Sequence, residues 1–208
     1  MLVQFFNRLQ KLKSVIPMNP RVIAREPDTV VIDDYVSSSD IKYLLQKAPE
    51  LTEGITNDNL SNTYTLSPYK DDVVRFLCMK VAMLVGVPVQ HLRYIDVHYI
   101  PINSSLVKKP VTYDKVPESP VATGPYGRVL GTASILLSDD ATLLLNGSAL
   151  DVKTAQIIGI QMVDEQDNLY YNNILESGKV VQNDLWLCSF VFAEFPRELN
   201  VEDYEVKL

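Results

Sequence analysis

The stretch DDVVRFLCMKVAMLVGVPVQHLRYIDVHYIP (Asp71–Pro101) decides how the chain is read, because its hydrophobic period changes midway. The first half sets Val73, Leu77, Val81 and Leu84 on one helical face, with Asp71 and Asp72 where a helix N-terminus favours negative charge. Gly86 closes that helix as a C-cap, and Pro88 blocks its continuation. LRYIDVHYI then reads as a strand. Upstream, TVVIDDYV (Thr29–Val36) is a β-branched strand, and SSSDIKYLLQKA (Ser37–Ala48) is an amphipathic helix entered through N-cap serines.

Downstream, Pro101–Arg128 holds five prolines and little periodicity, which is expected of a long functional loop. From Val129 the chain reads as strands between short polar turns: VLGTASILL, ATLLL, AQIIGIQMV, NLYYNNI, KVV and LWLCSFVF. Helices first and closely spaced strands afterwards imply an antiparallel sheet that closes into a sandwich or barrel. Residues 1–28 read as an arm: an amphipathic helix with Leu2, Phe5, Phe6, Leu9 and Leu12 at helical spacing, followed by a Pro-rich extended connector. Residues 29–195 form the expected globular domain, and 196–208 an acidic tail.

The composition narrows the partners. The chain has 208 residues, enough to bury a real core, with 47% hydrophobic and 22% charged residues. A net charge of −7 argues against a nucleic-acid footprint, which needs clustered Lys and Arg. Cys78 and Cys188 each sit in an apolar run and read as buried free thiols, as in a reducing cytoplasmic compartment. The apolar run Val73–Val87 is broken by Arg75 and Lys80, so no membrane span is expected. MLVQFFNRLQKLK lacks the apolar core and cleavage site of a signal peptide.

Three segments carry a resemblance. VVIDDYVSSSDIKYLLQKA is similar to a first strand and helix, DDVVRFLCMKVAMLVGVPVQHLRYIDVHYIP to a second helix and a tyrosine-bearing strand, and GTASILLSDDATLLLNG to the paired strands that follow. In this order they resemble the prolyl 4-hydroxylase-like Fe(II)/2-oxoglutarate-dependent oxygenases, over roughly residues 29–193. The resemblance implies an α+β chain: a double-stranded β-helix (jelly-roll) core with two or three N-terminal helices packed on one sheet. It also implies a facial triad, His-x-Asp on one strand and a distal histidine near the last strands, which leaves open positions on iron. A basic residue would then pair with the far carboxylate of 2-oxoglutarate.

Of the family's ligands only the aspartate carries over. Tyr99 takes the place of a residue that helps hold 2-oxoglutarate. Thr112 stands at the first histidine, Asp114 at the aspartate, Leu175 at the distal histidine and Leu185 at the basic residue. The chain has only two histidines, His91 and His98, and none follows residue 98. On this ground we expect a degenerate site without metal or cofactor. The expected protein is then not an enzyme but a structural or interaction protein. Its other protein subunits would be met through the N-terminal arm and the Pro101–Arg128 loop, for instance in a bacteriophage virion.

Two further functions stand beside that expectation. One is an Fe(II)/2-oxoglutarate-dependent dioxygenase with an atypical metal site at Asp96, His98 and Asp114, because residues two apart in a strand point the same way. The other is a small-molecule-binding jelly roll whose mouth is lined by Tyr99, Tyr113, Tyr126, Tyr170 and Tyr171. GPYG (Gly124–Gly127) lacks the Lys-Ser/Thr of a phosphate loop and reads as turn chemistry.

Overall fold

The computed structural model describes residues 20–25, 28–33, 35–57, 62–85, 88–104, 107–108, 129–138, 142–145, 147–161, 175–177, 183–194 and 196. In chain order the strands are β1 (Pro20–Arg25), β2 (Asp28–Ile32), β3 (Thr52–Asn57), β4 (Asn62–Leu66), β5 (Leu92–Ile100), β6 (Val107–Lys108), β7 (Val129–Leu136), β8 (Leu143–Leu145), β9 (Ser148–Leu150), β10 (Ile157–Gln161), β11 (Leu175–Ser177) and β12 (Leu185–Ala193). Helix α1 (Ser38–Leu51) lies between β2 and β3, and α2 (Asp72–Val85) between β4 and β5. The strands form an eight-stranded sheet in the order β1-β2-β10-β7-β12-β5-β4-β3 and a four-stranded sheet in the order β6-β11-β8-β9. This is the expected α+β jelly-roll architecture.

Side-chain oxygens start both helices. Ser37 Oγ accepts from the Asp40 backbone N–H at 3.2 Å, and Asp71 Oδ1 accepts from those of Val73 and Val74 at 3.0 Å each. The other Asp71 oxygen accepts from the Tyr43 hydroxyl at 2.6 Å, which ties α1 to the head of α2. Helix α2 buries Val74, Leu77, Cys78, Val81, Ala82 and Leu84. Val73, expected on the core face, is half-buried; the buried stripe starts one residue later.

Strand β12 runs through the middle of the large sheet, antiparallel to β5 on one side and β7 on the other. Opposed residues share a face and alternate residues change it, so register sorts the side chains into two sets. One face carries Val97, Cys188 and Ile135 in one row and Leu66, Ile95, Phe190 and Ala133 in the next. That face packs on α2, because the Cys188 thiol lies near enough to Cys78 to disfavour its ionisation. The opposite face carries Leu185, Leu187, Ser189, Val191, Leu136 and Ile158, all equally buried. With α2 on the first face, the four-stranded sheet is left to cover the second, and Leu143 and Leu145 of β8 are its buried contribution.

Some elements are new relative to the sequence reading. Pro20–Arg25, expected as extended connector, pairs with β2 as the edge strand of the large sheet. The β3–β4 hairpin extends the other edge against β5. β8 and β9 close on Gly147, whose φ of +78° suits a two-residue Asn-Gly turn. The expected strands NLYYNNI and KVV, residues 1–13 and most of the 196–208 tail lie outside the described residues.

Candidate functional site

The face of the large sheet turned to the smaller sheet is not uniformly apolar. Across β4, β5, β12 and β7, register aligns Thr65, Asp96, Ser189 and Ser134 in one row. The neighbouring row aligns Thr63, His98, Leu187 and Leu136. Within the rows Thr65 Oγ1 donates to Asp96 Oδ1 at 2.8 Å, and Thr63 Oγ1 lies 2.9 Å from His98 Nδ1. The Ser134 and Ser189 hydroxyls lie 3.3 Å apart. His98 is 5% exposed and Ser189 0% exposed. A half-buried carboxylate, a buried imidazole and four hydroxyls thus converge where a filled barrel would hold aliphatic side chains.

The spacing of β5 produces this arrangement. Asp96 and His98 stand two residues apart, so both point to one face, and the β4 threonines opposite them fix each side chain. A hydroxyl against Nδ1 fixes the orientation of the imidazole ring. The pair offers imidazole nitrogen and carboxylate oxygen, the donor types that iron takes.

The residues assigned through the family resemblance lie as follows. Leu185 opens β12, opposite Ile100, and is fully buried on the same face as His98. Leu175 opens β11, with Leu145 and Lys108 as its register partners. Neither leucine carries a donor, so those two positions do not fit iron or the cosubstrate's charge. Thr112 and Asp114 lie outside the described residues, as do Tyr113, Tyr126, Tyr170 and Tyr171. Among the described residues no group of three His, Cys, Asp or Glu side chains is placed to hold a metal.

Tyr99 shares its face with Trp186 rather than with Leu185. Its hydroxyl donates to Asp184 Oδ2 at 2.9 Å, and its ring lies 4.8 Å from that of Trp186, which stacks on Tyr64. Asp184 also accepts from the Ile102 backbone N–H at 3.0 Å. The hydrogen bond to Asp184 holds the Tyr99 phenol above its ordinary pKa. His91, outside the strand, uses Nδ1 on the Ala193 carbonyl at 3.0 Å.

Sequence reasoning missed Thr63, Thr65, Ser134 and Ser189. The signals were present: Thr-Tyr-Thr at 63–65 has the same alternation as Asp-Val-His at 96–98, and Ser189 interrupts an otherwise apolar run.

No family model matches the chain, and no curated protein matches it. Solved structures do share its fold. A viral collagen prolyl hydroxylase from Paramecium bursaria Chlorella virus-1, in a 2-oxoglutarate complex, superposes with a TM-score of 0.62 at 13% identity, covering 79% of this chain and 95% of that one. HygX from Streptomyces hygroscopicus, with nickel and 2-oxoglutarate bound, gives 0.54 at 14% identity over 85% and 87% of the two chains. An oxidoreductase of the 2OG-Fe(II) oxygenase family from Burkholderia pseudomallei gives 0.53 at 8% identity over 97% and 94%. The fold is therefore that of the prolyl hydroxylase-like 2OG-Fe(II) oxygenases. This corrects the expectation of a protein that is not an enzyme: the architecture is shared with enzymes, and the virion setting gains no support from these neighbours. The physical reason lies on β5. The expectation rested on Leu175 and Leu185, whereas Asp96 and His98 of β5 place a carboxylate and an imidazole on the face of the large sheet that also carries Leu185. No helix among the described residues is long and apolar enough to cross a membrane.

Proposed function

We propose that the chain is an Fe(II)/2-oxoglutarate-dependent dioxygenase with an atypical metal site. The supporting observation is the Asp96–His98 pair on the inner barrel face, each side chain fixed by a β4 threonine. Asp96 and His98 would hold the metal, with Asp114 the third candidate ligand from the sequence. When bound, iron with 2-oxoglutarate supplies oxygen activation coupled to decarboxylation of the cosubstrate. The chain's own residues do the rest. Thr63 orients the imidazole, Thr65 orients the carboxylate, and Leu185, Leu187 and Leu136 keep bulk water from the inner face.

The cosubstrate meets a changed environment. With Leu185 in place of a cation, an incoming carboxylate loses about 3–5 kcal/mol of charge pairing. This corresponds to roughly two to four orders of magnitude in affinity. Weak 2-oxoglutarate binding is therefore part of the reading.

The test is an anaerobic titration of the purified chain with Fe(II) and then 2-oxoglutarate, followed by absorption and calorimetry. A stoichiometric charge-transfer band that disappears in Asp96→Ala and His98→Ala variants supports the reading. No band at millimolar 2-oxoglutarate, or a band that survives both substitutions, refutes it.

A further inference from the structure

Helix α2 has a second apolar stripe that the core does not use. Phe76, Met79 and Met83 follow one another at i, i+3 and i+7 and are 61%, 47% and 72% exposed. Such a row of large side chains on one helix face calls for a cover. We infer that the cover is the chain's own N-terminal segment, residues 1–13, folded back in cis.

Topology brings the start of the described chain to this face. Pro20 opens β1 opposite Ile32 of β2, and Tyr35 follows Ile32 by three residues. The Tyr35 hydroxyl donates to the Lys80 carbonyl of α2 at 2.7 Å, and Lys80 Nζ returns a bond to the Tyr35 carbonyl at 3.1 Å. The same ammonium sits 5.3 Å from the Tyr35 ring centre and 5.8 Å from that of Phe76. The chain therefore enters β1 beside the contact that borders the exposed stripe. Val22 of β1, 48% exposed, shares the face of Val30 and hence the α2 side of the sheet.

Length and pattern suit this occupant. Residues 14–19 reach up to about 20 Å when extended. The stripe from Phe76 to Met83 is only about 10 Å long, and a helix over residues 1–13 about 20 Å. At helical spacing Leu2, Phe5, Phe6, Leu9 and Leu12 make one apolar face of that segment, while Gln4, Asn7 and Lys11 fall on the opposite side for solvent. A tether this short gives the segment a high effective concentration at α2, which favours it over a free partner.

The experiment uses the full chain. Peroxide oxidation of Met79 and Met83 is followed by mass spectrometry, with amide exchange read over residues 2–12. In the native chain Met79 and Met83 oxidise slowly. In Phe5→Asp/Phe6→Asp they oxidise roughly tenfold faster, as for a docked segment that is released. Amides 2–12 are protected in the native chain and lose protection in Met79→Glu/Met83→Glu, a change confined to the helix surface. Unchanged oxidation rates, or unprotected amides 2–12 in the native chain, overturn the inference. Protection that rises with protein concentration overturns it in favour of a second copy as the cover.

Discussion

Replacing Thr63 by Val removes one hydroxyl and keeps the side chain's shape. In the fold that hydroxyl lies 2.9 Å from Nδ1 of a histidine that is 5% exposed. Loss of a buried hydrogen bond of this kind costs about 1 kcal/mol of folding stability. A metal ligand deprived of its supporting partner costs more in function, about 10- to 100-fold in metal affinity. In free energy this is roughly 1.4–2.7 kcal/mol, more than the folding term. Ser134→Ala is the control: it removes the Ser189 partner on the same face without touching β4 or β5. Urea unfolding measures the stability change, and anaerobic calorimetry with Fe(II) measures the affinity. The expected outcome is a similar small stability loss in both variants, with metal affinity reduced only in Thr63→Val. Equal metal affinity in the two would refute the reasoning, because Thr63 would then support a core histidine and nothing more.

Three other outcomes follow from the packing. Asp71→Ala removes the cap of α2 and the acceptor of Tyr43, so stability falls by about 1–2 kcal/mol. In the same variant, ultraviolet titration finds the Tyr43 phenol, which the Asp71 hydrogen bond holds at about 12, moved back toward 10.0. Phe190→Ala empties a fully buried site on the central strand and costs about 3–5 kcal/mol by chemical unfolding. Cys78 has its thiol pKa pushed well above 9.0, first by burial and then by Cys188. Its folded pKa exceeds its unfolded one, so this contribution is complete below the unfolded pKa and is lost as pH rises toward the folded value. The unfolding free energy from urea titration should therefore fall above about pH 9, by up to about 1.4 kcal/mol per pH unit from this group, and Cys78→Ala should flatten that decline.

Much of the architecture was legible because the core strands are strongly apolar. LWLCSFVF and LRYIDVHYI announce themselves, and the sorting of Trp186, Cys188 and Phe190 against Leu185, Leu187 and Val191 follows from alternation alone. The edge strands were not legible. β3 and β4 read TEGITN and NTYTL, whose polar residues look like loop until β5 is there to pair with them. β1 contains a proline and follows others, which hides a strand that needs only one partner. The Asp96–His98 spacing was visible in the sequence, but its weight was not. The threonines that hold both side chains come from β4, more than thirty positions earlier, and only strand order brings them together. Leu185 was placed on its face by counting, whereas the direction of Tyr99 depended on register with Trp186.

The position of β12 bears on how the protein is made. Strands β5 and β7 never neighbour each other; each pairs with Leu185–Ala193, the last strand of the large sheet in chain order. While the ribosome is still translating, the sheet exists only as two unjoined halves, β3-β4-β5 and β1-β2-β10-β7, each with an apolar edge open. Joining them requires contacts about 90 residues apart in sequence, the kind that close slowly. Until β12 has been synthesised the large sheet has no strand to join its halves, and its unpaired edges are then open to aggregation.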